Sequence, residues 1–414
     1  MRRLIGILAS LLALAACQKP LFNTTPRWMR MQDRYAHIPY EKEEDADSLV
    51  MPVPDGHSVY AAAVRFPRGV DWREGDYRQA ELVLLRDSVE VRSFPFGGDP
   101  APDRIRLLGT QIWTDETRNG NATVICCNGE ERLSWSGEEV IQGLLVADGH
   151  IHTLGQRAGG RGICYRVDGE VVFESPLGTI LGGLENREWP GGALSADSLG
   201  VYYTYCIPVK KGKETLQEYH VMRGDEQVQL VAAGMAHKVF DVRPLGGVVY
   251  RSECRSPYSW SLCLVQANAP ISMGISPEEE VLEGQLITYN GYMLMKGLSK
   301  SQGNPTYTYW VRDMYDVRFV ARSNFVPADI YLDQGWCAYI TLDQGRVCQA
   351  YKNGNYLPVK PDTYVLKSSR CAAFRKGIFA MALTHASGDE HLLTADQEAF
   401  PHRFNGFFVA IQIQ

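Results

Sequence analysis

Cysteine and histidine are the residues here whose spacing suggests chemistry most directly. The chain holds ten cysteines. Cys254 and Cys263 lie on two successive apolar stretches, and Cys337 and Cys348 repeat that arrangement. Read as neighbouring antiparallel strands, each pair meets across the ladder at the short Cα separation that a disulfide requires. The alternative is free buried thiols, which pack as small hydrophobes. Cys126 and Cys127 cannot bridge each other, because neighbours on a strand point to opposite faces. No Cys-x-x-Cys or Cys-x-x-His spacing suggests zinc. His150 and His152 share one face of a strand, so two imidazoles could hold a metal there. Solvated or hydrogen-bonded histidines are the simpler reading, and no metal site is assigned. His385, Asp389, Glu390 and His391 cluster about Gly388 and are read as solvated in the same way.

Motifs for nucleophilic or phosphate chemistry are missing. There is no G-x-S-x-G, no P-loop, no H-E-x-x-H and no dinucleotide-binding fingerprint. Asp and Glu number 48, and two that converge in the fold would make a glycosidase-type pair. Spacing alone does not pair them, so no catalytic residue and no cofactor is assigned. Arg223-Gly224-Asp225 resembles an integrin tripeptide but reads as a hairpin tip. The net charge is −6 and no basic run occurs, which argues against a nucleic-acid partner.

The elements that must position these residues come from a repeat. A turn followed by a strand recurs from Gly56 onward, with glycines at 56, 109, 149, 200, 247, 291, 335 and 377. Inside each period lies a second signal, an apolar strand, a tight turn and another strand. Asn128-Gly129, Asp168-Gly169 and Asn353-Gly354 are its strongest copies. Both positions of such a turn need positive φ, which Asn, Asp and Gly tolerate best. Weaker copies at Asp87-Ser88, Gly224-Asp225, Asn268, Asp313 and Asp396 bring the hairpins to eight, in phase with the glycine turns.

Each period therefore holds about four strands and no convincing helix. Four-stranded units recurring every 40 to 50 residues or so are the mark of a β-propeller. The expected fold is all-β, with residues 56–414 forming four-stranded blades. Eight blades follow from the repeat count, with seven as the alternative. Residues 407–413 make a strand left over after the last hairpin and are expected to close the ring on the first blade. The strand order resembles NHL-type and kelch-like propellers, and the propeller lipoproteins of Bacteroidota. That resemblance covers about 360 residues and implies architecture rather than chemistry. Tyr202, Tyr203 and Tyr205, then Tyr250, Tyr258 and Trp260, then Tyr307, Tyr309, Trp310 and Tyr315 are read mainly as packing between blades. Tyr258 and Trp189 are the loop aromatics that would suit a carbohydrate- or protein-binding face.

The N-terminus has a separate logic. Arg2 and Arg3 precede an apolar run from Leu4 to Ala16, the layout of a signal peptide and too short to span a bilayer. The run ends Leu14-Ala15-Ala16-Cys17, which resembles the lipobox of bacterial lipoproteins. The resemblance implies cleavage after residue 16 and diacylglyceryl attachment, usually with a third acyl chain, at Cys17. Two or three chains anchor stably where one would not. Residues 17–55 carry prolines and the acidic run from Glu41 to Asp47, and read as a tether. Within it Asp47-Ser48-Leu49 resembles the O-glycosylation site of Bacteroidota, which would modify Ser48. Gln18 to Phe22 hold no acidic residue. By resemblance to lipoprotein sorting signals, this implies an outer-membrane anchor with the propeller facing the periplasm.

The expected function is a membrane-anchored, non-catalytic binding or scaffold module, with the membrane as its one assigned partner. A glycan hydrolase or lyase acting at the propeller's channel mouth is the alternative. A structural subunit of an outer-membrane assembly is the third. The anchor is tested by Cys17→Ser, which should release the protein from the membrane fraction and block maturation. Wild-type partitioning of the variant would overturn lipidation at Cys17.

Overall fold

The computed structural model describes residues 57–414 apart from short internal stretches, the longest being 97–103, 182–190 and 358–363. For residues 254–256, 259–264, 312 and 317–321, among others, it describes backbone alone. Helix is confined, among the described residues, to short 3-10 turns such as Tyr77–Gln79 and Ser369–Cys371. No helix there is long and apolar enough to cross a membrane.

Strands paired antiparallel with their chain neighbours build the rest. Asn405–Ile413, Val59–Phe66, Ala80–Arg86 and Val89–Phe96 form the first sheet. The second runs from Ile105–Leu108 to Glu130–Ser136, and the third from Glu139–Ala147 to Glu170–Ser175. The fourth spans Thr179–Ile180 to Glu226–Ala233, the fifth Lys238–Leu245 to Ala269–Met273, and the sixth Glu279–Tyr289 to Val317–Ser323. A nine-stranded seventh sheet takes up Val326–Asp333 to Glu398–Arg403.

This corrects the expectation of eight blades: the fold is a β-propeller of seven sheets. The seventh and eighth repeats are joined by Tyr364–Val365. Val365 pairs with Arg346 on one side and Thr384 on the other, and Tyr364 pairs with His385. A strand of two residues carries no periodicity, so the sequence pattern had no means of revealing the fusion.

Apolar clusters fill the space between neighbouring sheets. Phe94 and Phe96 of the first pack with Ile105 and Ile112 of the second. Ile125 meets Ile141 and Leu144. Tyr165 meets Tyr203, and Val221 meets Val242 and Val249. Leu286 and Met295 pack on Phe240 and Tyr250, and Val311 packs on Ile330. The largest cluster fills the seventh sheet and reaches Val83 and Leu85 of the first. Each such side chain contributes about 1.5–3 kcal/mol when fully buried. On the sixth sheet the Trp310 indole lies across bare Gly297 of the paired strand; a Cβ there would fall 1.8 Å from the ring.

Buried charges staple these junctions. Arg106 bonds Asp115 at 2.8 Å and the Ile141 carbonyl of the next sheet at 2.8 Å. Within the third sheet Arg166 bonds Glu139 at 2.9 Å, and its guanidinium lies 4.7 Å from the Trp135 ring of the second sheet. Arg243 bonds Asp241 at 3.0 Å and reaches back to the Gly192 carbonyl, while Asp241 accepts from Leu286 N–H of the sheet ahead. Lys296 of the sixth sheet pairs with Asp329 of the seventh. Removing one partner of such a pair leaves an uncompensated buried charge, at about 3–5 kcal/mol.

The two repeating signals of the sequence are one device. Asp87, Asn128, Asp168 and Asp396 open hairpin turns with φ near +50°. Each side-chain oxygen accepts the N–H of a residue just past a glycine turn: Val59, Ile112, Ile151 and Phe379 respectively. Each backbone N–H donates to the carbonyl of that same residue. Gly224 and Asn353 keep the backbone half of this clasp, to Val201 and Cys337. The clasp ties a sheet's third-to-fourth-strand turn to its second strand, and sets the hairpins in phase with the glycines.

Asn128→Ala removes a 2.9 Å bond and leaves a β-carbon residue at φ +51° without its local partner. The expected cost is on the order of 2 kcal/mol, read as a melting temperature several degrees lower. Asn128→Asp, which keeps the acceptor, should stay close to wild type. An unchanged melting temperature in Asn128→Ala would show that the clasp is ornamental.

Candidate functional site

The strand directions give the ring two unlike faces. Every clasped turn lies on one, and tight turns such as 119–121 and 212–213 lie on the other. That other face also carries the longer connections, among them residues 67–79 of the first sheet, 366–371 within the seventh, and 386–389 between Ile378–His385 and Glu390–Ala395. Of the histidines picked out by sequence, His150 and His152 sit on the turn face, and His385 and His391 flank the 386–389 connection on the other. His150 Nδ1 lies 2.6 Å from Asp168 and His152 Nδ1 lies 2.7 Å from the Tyr165 hydroxyl. Backbone and His150 contacts hold the Asp168 carboxyl below its usual range. Burial lowers the His152 imidazole. Among the described residues no group of three or more His, Cys, Asp or Glu is placed to hold a metal ion.

On the loop face one aromatic side chain gathers cations. Residues 67–79 are pinned to the closing strand, because the Asn405 side chain donates to the Pro67 and Val70 carbonyls at 2.9 and 2.7 Å. Trp72 then packs on Phe407, ring centroids 5.4 Å apart. It also lies against the bare backbone of Gly388, where a Cβ would fall 1.8 Å from Nε1. Its N–H faces the Ser387 carbonyl at 3.4 Å. Lys367 Nζ stands 4.5 Å from the centre of the indole and the Arg73 guanidinium 4.8 Å. Arg73 bonds the Ala386 carbonyl and has Asp71 at 3.8 Å. Both cations are exposed. Desolvation of its stem and head, and then the Arg73 charge, hold the Lys367 ammonium below its ordinary value.

Next to this seam two histidines are buried. His391 and His402 are cross-strand partners in the seventh sheet. His391 Nε2 lies 2.9 Å from the Phe404 carbonyl, and its ring stacks on Phe404 at 3.8 Å. Both imidazoles stand edge-on to Phe408 of the closing strand. Among the described residues His402 Nε2 has no hydrogen-bond partner. It lines a cleft of about 40 Å³ with Arg65, Glu90 and Arg403. Burial pushes His391 down to about 3 and His402 to about 4.

The remaining sequence candidates divide as follows. Cys17 and Ser48 lie outside the described residues, as does Tyr258. Trp189 does too. The expected disulfides do not match the register. Cys263 is paired with Arg251 while Cys254 is paired with Trp260, three positions along the ladder. Cys337 lies beyond Ala338↔Lys352, whereas Cys348 falls at the bulge opposite Thr341 and Leu342. Cys337 is a free thiol, pushed up to about 12 by burial. The cysteines lie on the expected second and third strands in both cases; the ladder offset, set by where each hairpin turns and moved one place further by a bulge, was not legible. Arg223-Gly224-Asp225 is a hairpin tip, and Tyr203 stacks on Tyr165 of the neighbouring sheet at 4.9 Å. Trp72, Arg73 and Lys367 were missed; they lie far apart in sequence and in no repeat position.

No family model matches the chain, and no curated protein matches it significantly. Among solved structures it is similar to dihydro-heme d1 dehydrogenase NirN, at 11% identity and a TM-score of 0.47, covering 85% of this chain and 74% of that one. It is also similar to the Pyrococcus horikoshii acylaminoacyl peptidase, at 9% identity and a TM-score of 0.43, over 73% and 52% of the two chains. The polysaccharide lyase Uly1 is similar at 10% identity and a TM-score of 0.37, over 77% and 91%. These proteins do unlike chemistry, and the likeness is one of fold.

The buried histidines predict an acid response. Above about pH 6.5 both rings are neutral in the folded and unfolded chains. Below it the unfolded chain takes up protons that the folded chain refuses until about pH 4 and 3. Stability should therefore fall as the pH drops from 6.5, by up to about 1.4 kcal/mol per pH unit for each ring. Melting temperatures between pH 7 and 5 should decline less steeply in His402→Phe than in wild type. Equal slopes would show that His402 is not linked to stability.

Proposed function

We propose that this chain is a lipid-anchored, non-catalytic binding protein of the cell envelope. The observation that carries the reading is how the charges are used. Among the described residues, the buried carboxylates Asp115, Glu139, Asp241, Glu253 and Asp329 are each committed to an arginine or lysine, and Asp333 accepts the Gly377 N–H. Groups held that way join sheets and are not poised for acid–base work, which needs a carboxyl with room for water or sugar beside it. Arg73 and Lys367, by contrast, stand exposed around a tryptophan on the longer-looped face. Exposed cations beside an aromatic surface are recognition chemistry.

The N-terminal layout supports the rest of the reading. Cys17 would bear the lipid, and residues 17–55 would hold the propeller away from the bilayer, with Ser48 available for glycosylation. The absence of acids just after Cys17 supports an outer-membrane anchor and a periplasmic propeller.

The detergent-extracted full-length lipoprotein should be retained by immobilised envelope or extracellular polysaccharide without consuming it. Retention is read by affinity electrophoresis, and cleavage by the appearance of reducing ends or unsaturated uronates. Product that accumulates with time and protein concentration would overturn the non-catalytic reading and favour the glycan-acting enzyme.

A further inference from the structure

We propose that Trp72, Arg73 and Lys367 form a subsite for an acidic sugar residue of a glycan chain, its carboxylate or sulfate held between the two cations and its ring against the indole. The inference rests on the binding reading above and names the ligand class for that same face.

Three features support it. First, the cations are brought together at an electrostatic cost. Both lie within 5 Å of one indole centre, at 4.5 and 4.8 Å, and the Arg73 charge acts unfavourably on the Lys367 ammonium. Trp72 offers each only a weak cation–π contact, about 0.5–1 kcal/mol at an exposed position. An anion between them would relieve that repulsion. Second, the backbone beneath is fixed. Ser368 caps the turn after Lys367 by accepting from Arg370 N–H at 3.0 Å, and Arg370 reaches the Ile105 carbonyl of the second sheet at 2.9 Å. On the other side Trp72 is seated on Gly388 and Phe407. Lys367 and Arg73 therefore project from anchored segments, which lowers the entropy lost on binding. Third, the charge balance is local and adjustable. Among the described residues Asp71, 3.8 Å from Arg73, is a carboxylate that competes with an incoming anion; Asp389 follows Gly388 in the chain and is exposed. Asp76 is engaged by Arg78 at 2.9 Å. Trp72 is half-buried, packed on Gly388 and Phe407, and keeps part of its indole exposed; an acidic peptide would satisfy the cations but leave that part uncovered, so the sugar is the better fit.

The full-length protein in detergent is run by affinity electrophoresis against polygalacturonate, dextran sulfate, neutral dextran and poly-glutamate. Wild type should be retarded by at least one of the two acidic polysaccharides and by neither dextran nor poly-glutamate, and retardation should weaken with salt. Lys367→Ala and Arg73→Ala should each weaken it about tenfold, and Lys367→Arg should restore most of it. Asp71→Asn keeps the acceptor for Arg73 N–H and removes the competing charge, so it should bind more tightly than wild type. That gain cannot arise from misfolding. Retardation of wild type that neither alanine variant changes would overturn the subsite while leaving the binding reading intact. No retardation by either acidic polysaccharide would overturn the ligand class. Equal response to poly-glutamate, equally sensitive to Lys367, would assign the site to an acidic peptide instead. Cleavage of a probe would count against the binding reading itself, whatever the variants do.

Discussion

A row of twisted sheets, each packed on the next, leaves two ends that expose an apolar face and an unpaired strand edge. The strand Asn405–Ile413 removes both. It pairs along its length with Val59–Phe66, from Val59↔Ile413 to Phe66↔Asn405, and the ends are tied again by reciprocal bonds between Ser58 and Gln414. Its side chains belong as much to the seventh sheet. Phe408 is buried against His391 and His402, its N–H donates to the Thr384 hydroxyl, and the Cys371 thiol faces its carbonyl. The loop face is built on the same strand, since Asn405 holds residues 67–70 and Phe407 supports Trp72. Closure of the ring and assembly of the candidate site are thus one event.

Most of the architecture was legible because it repeats. A two-residue turn with both φ positive admits few residue types, so Asn128-Gly129 and Asp168-Gly169 announce themselves. Their phase with the glycines was visible too, although its cause, a side-chain bond from Asn128 to Ile112 and from Asp168 to Ile151, was not. The closing strand was legible for a simpler reason: it is a strand with no hairpin of its own. Periodicity ran out where pairing departs from the repeat. Tyr364–Val365 joins two units through two residues, and the position of each hairpin turn, with a bulge adding one place, sets Cys263 apart from Cys254 and Cys348 apart from Cys337. Register is a property of two strands together, and neither one's sequence contains it.

The candidate site shows the same limit more sharply. Nothing marks Trp72, Arg73 and Lys367 in sequence, because the first two stand nearly three hundred positions from the third. They become neighbours only when the ring closes. The sequence pointed instead to His150, His152 and the group around His391. His150 and His152 turn out to be satisfied by Asp168 and Tyr165, and His391 to be buried against the closing strand rather than solvated. Bonded and buried histidines of this kind support the fold.

The two faces of the ring differ in what their side chains are free to do, and this bears on where recognition belongs. On the turn face, clasped Asp and Asn side chains are spent on backbone N–H groups, and the turns they hold have room for only two residues. A change of length or residue there disturbs strand register before it alters any surface. On the loop face, connections such as residues 67–79 are long enough to fold over the rim, and their anchor points, Asn405 and Gly388, are distinct from their exposed tips. Arg73 and Lys367 can be exchanged without touching a ladder bond. A propeller fastened in this way separates the face that specifies the fold from the face that can evolve a ligand, and the cation pair at Trp72 lies on the second.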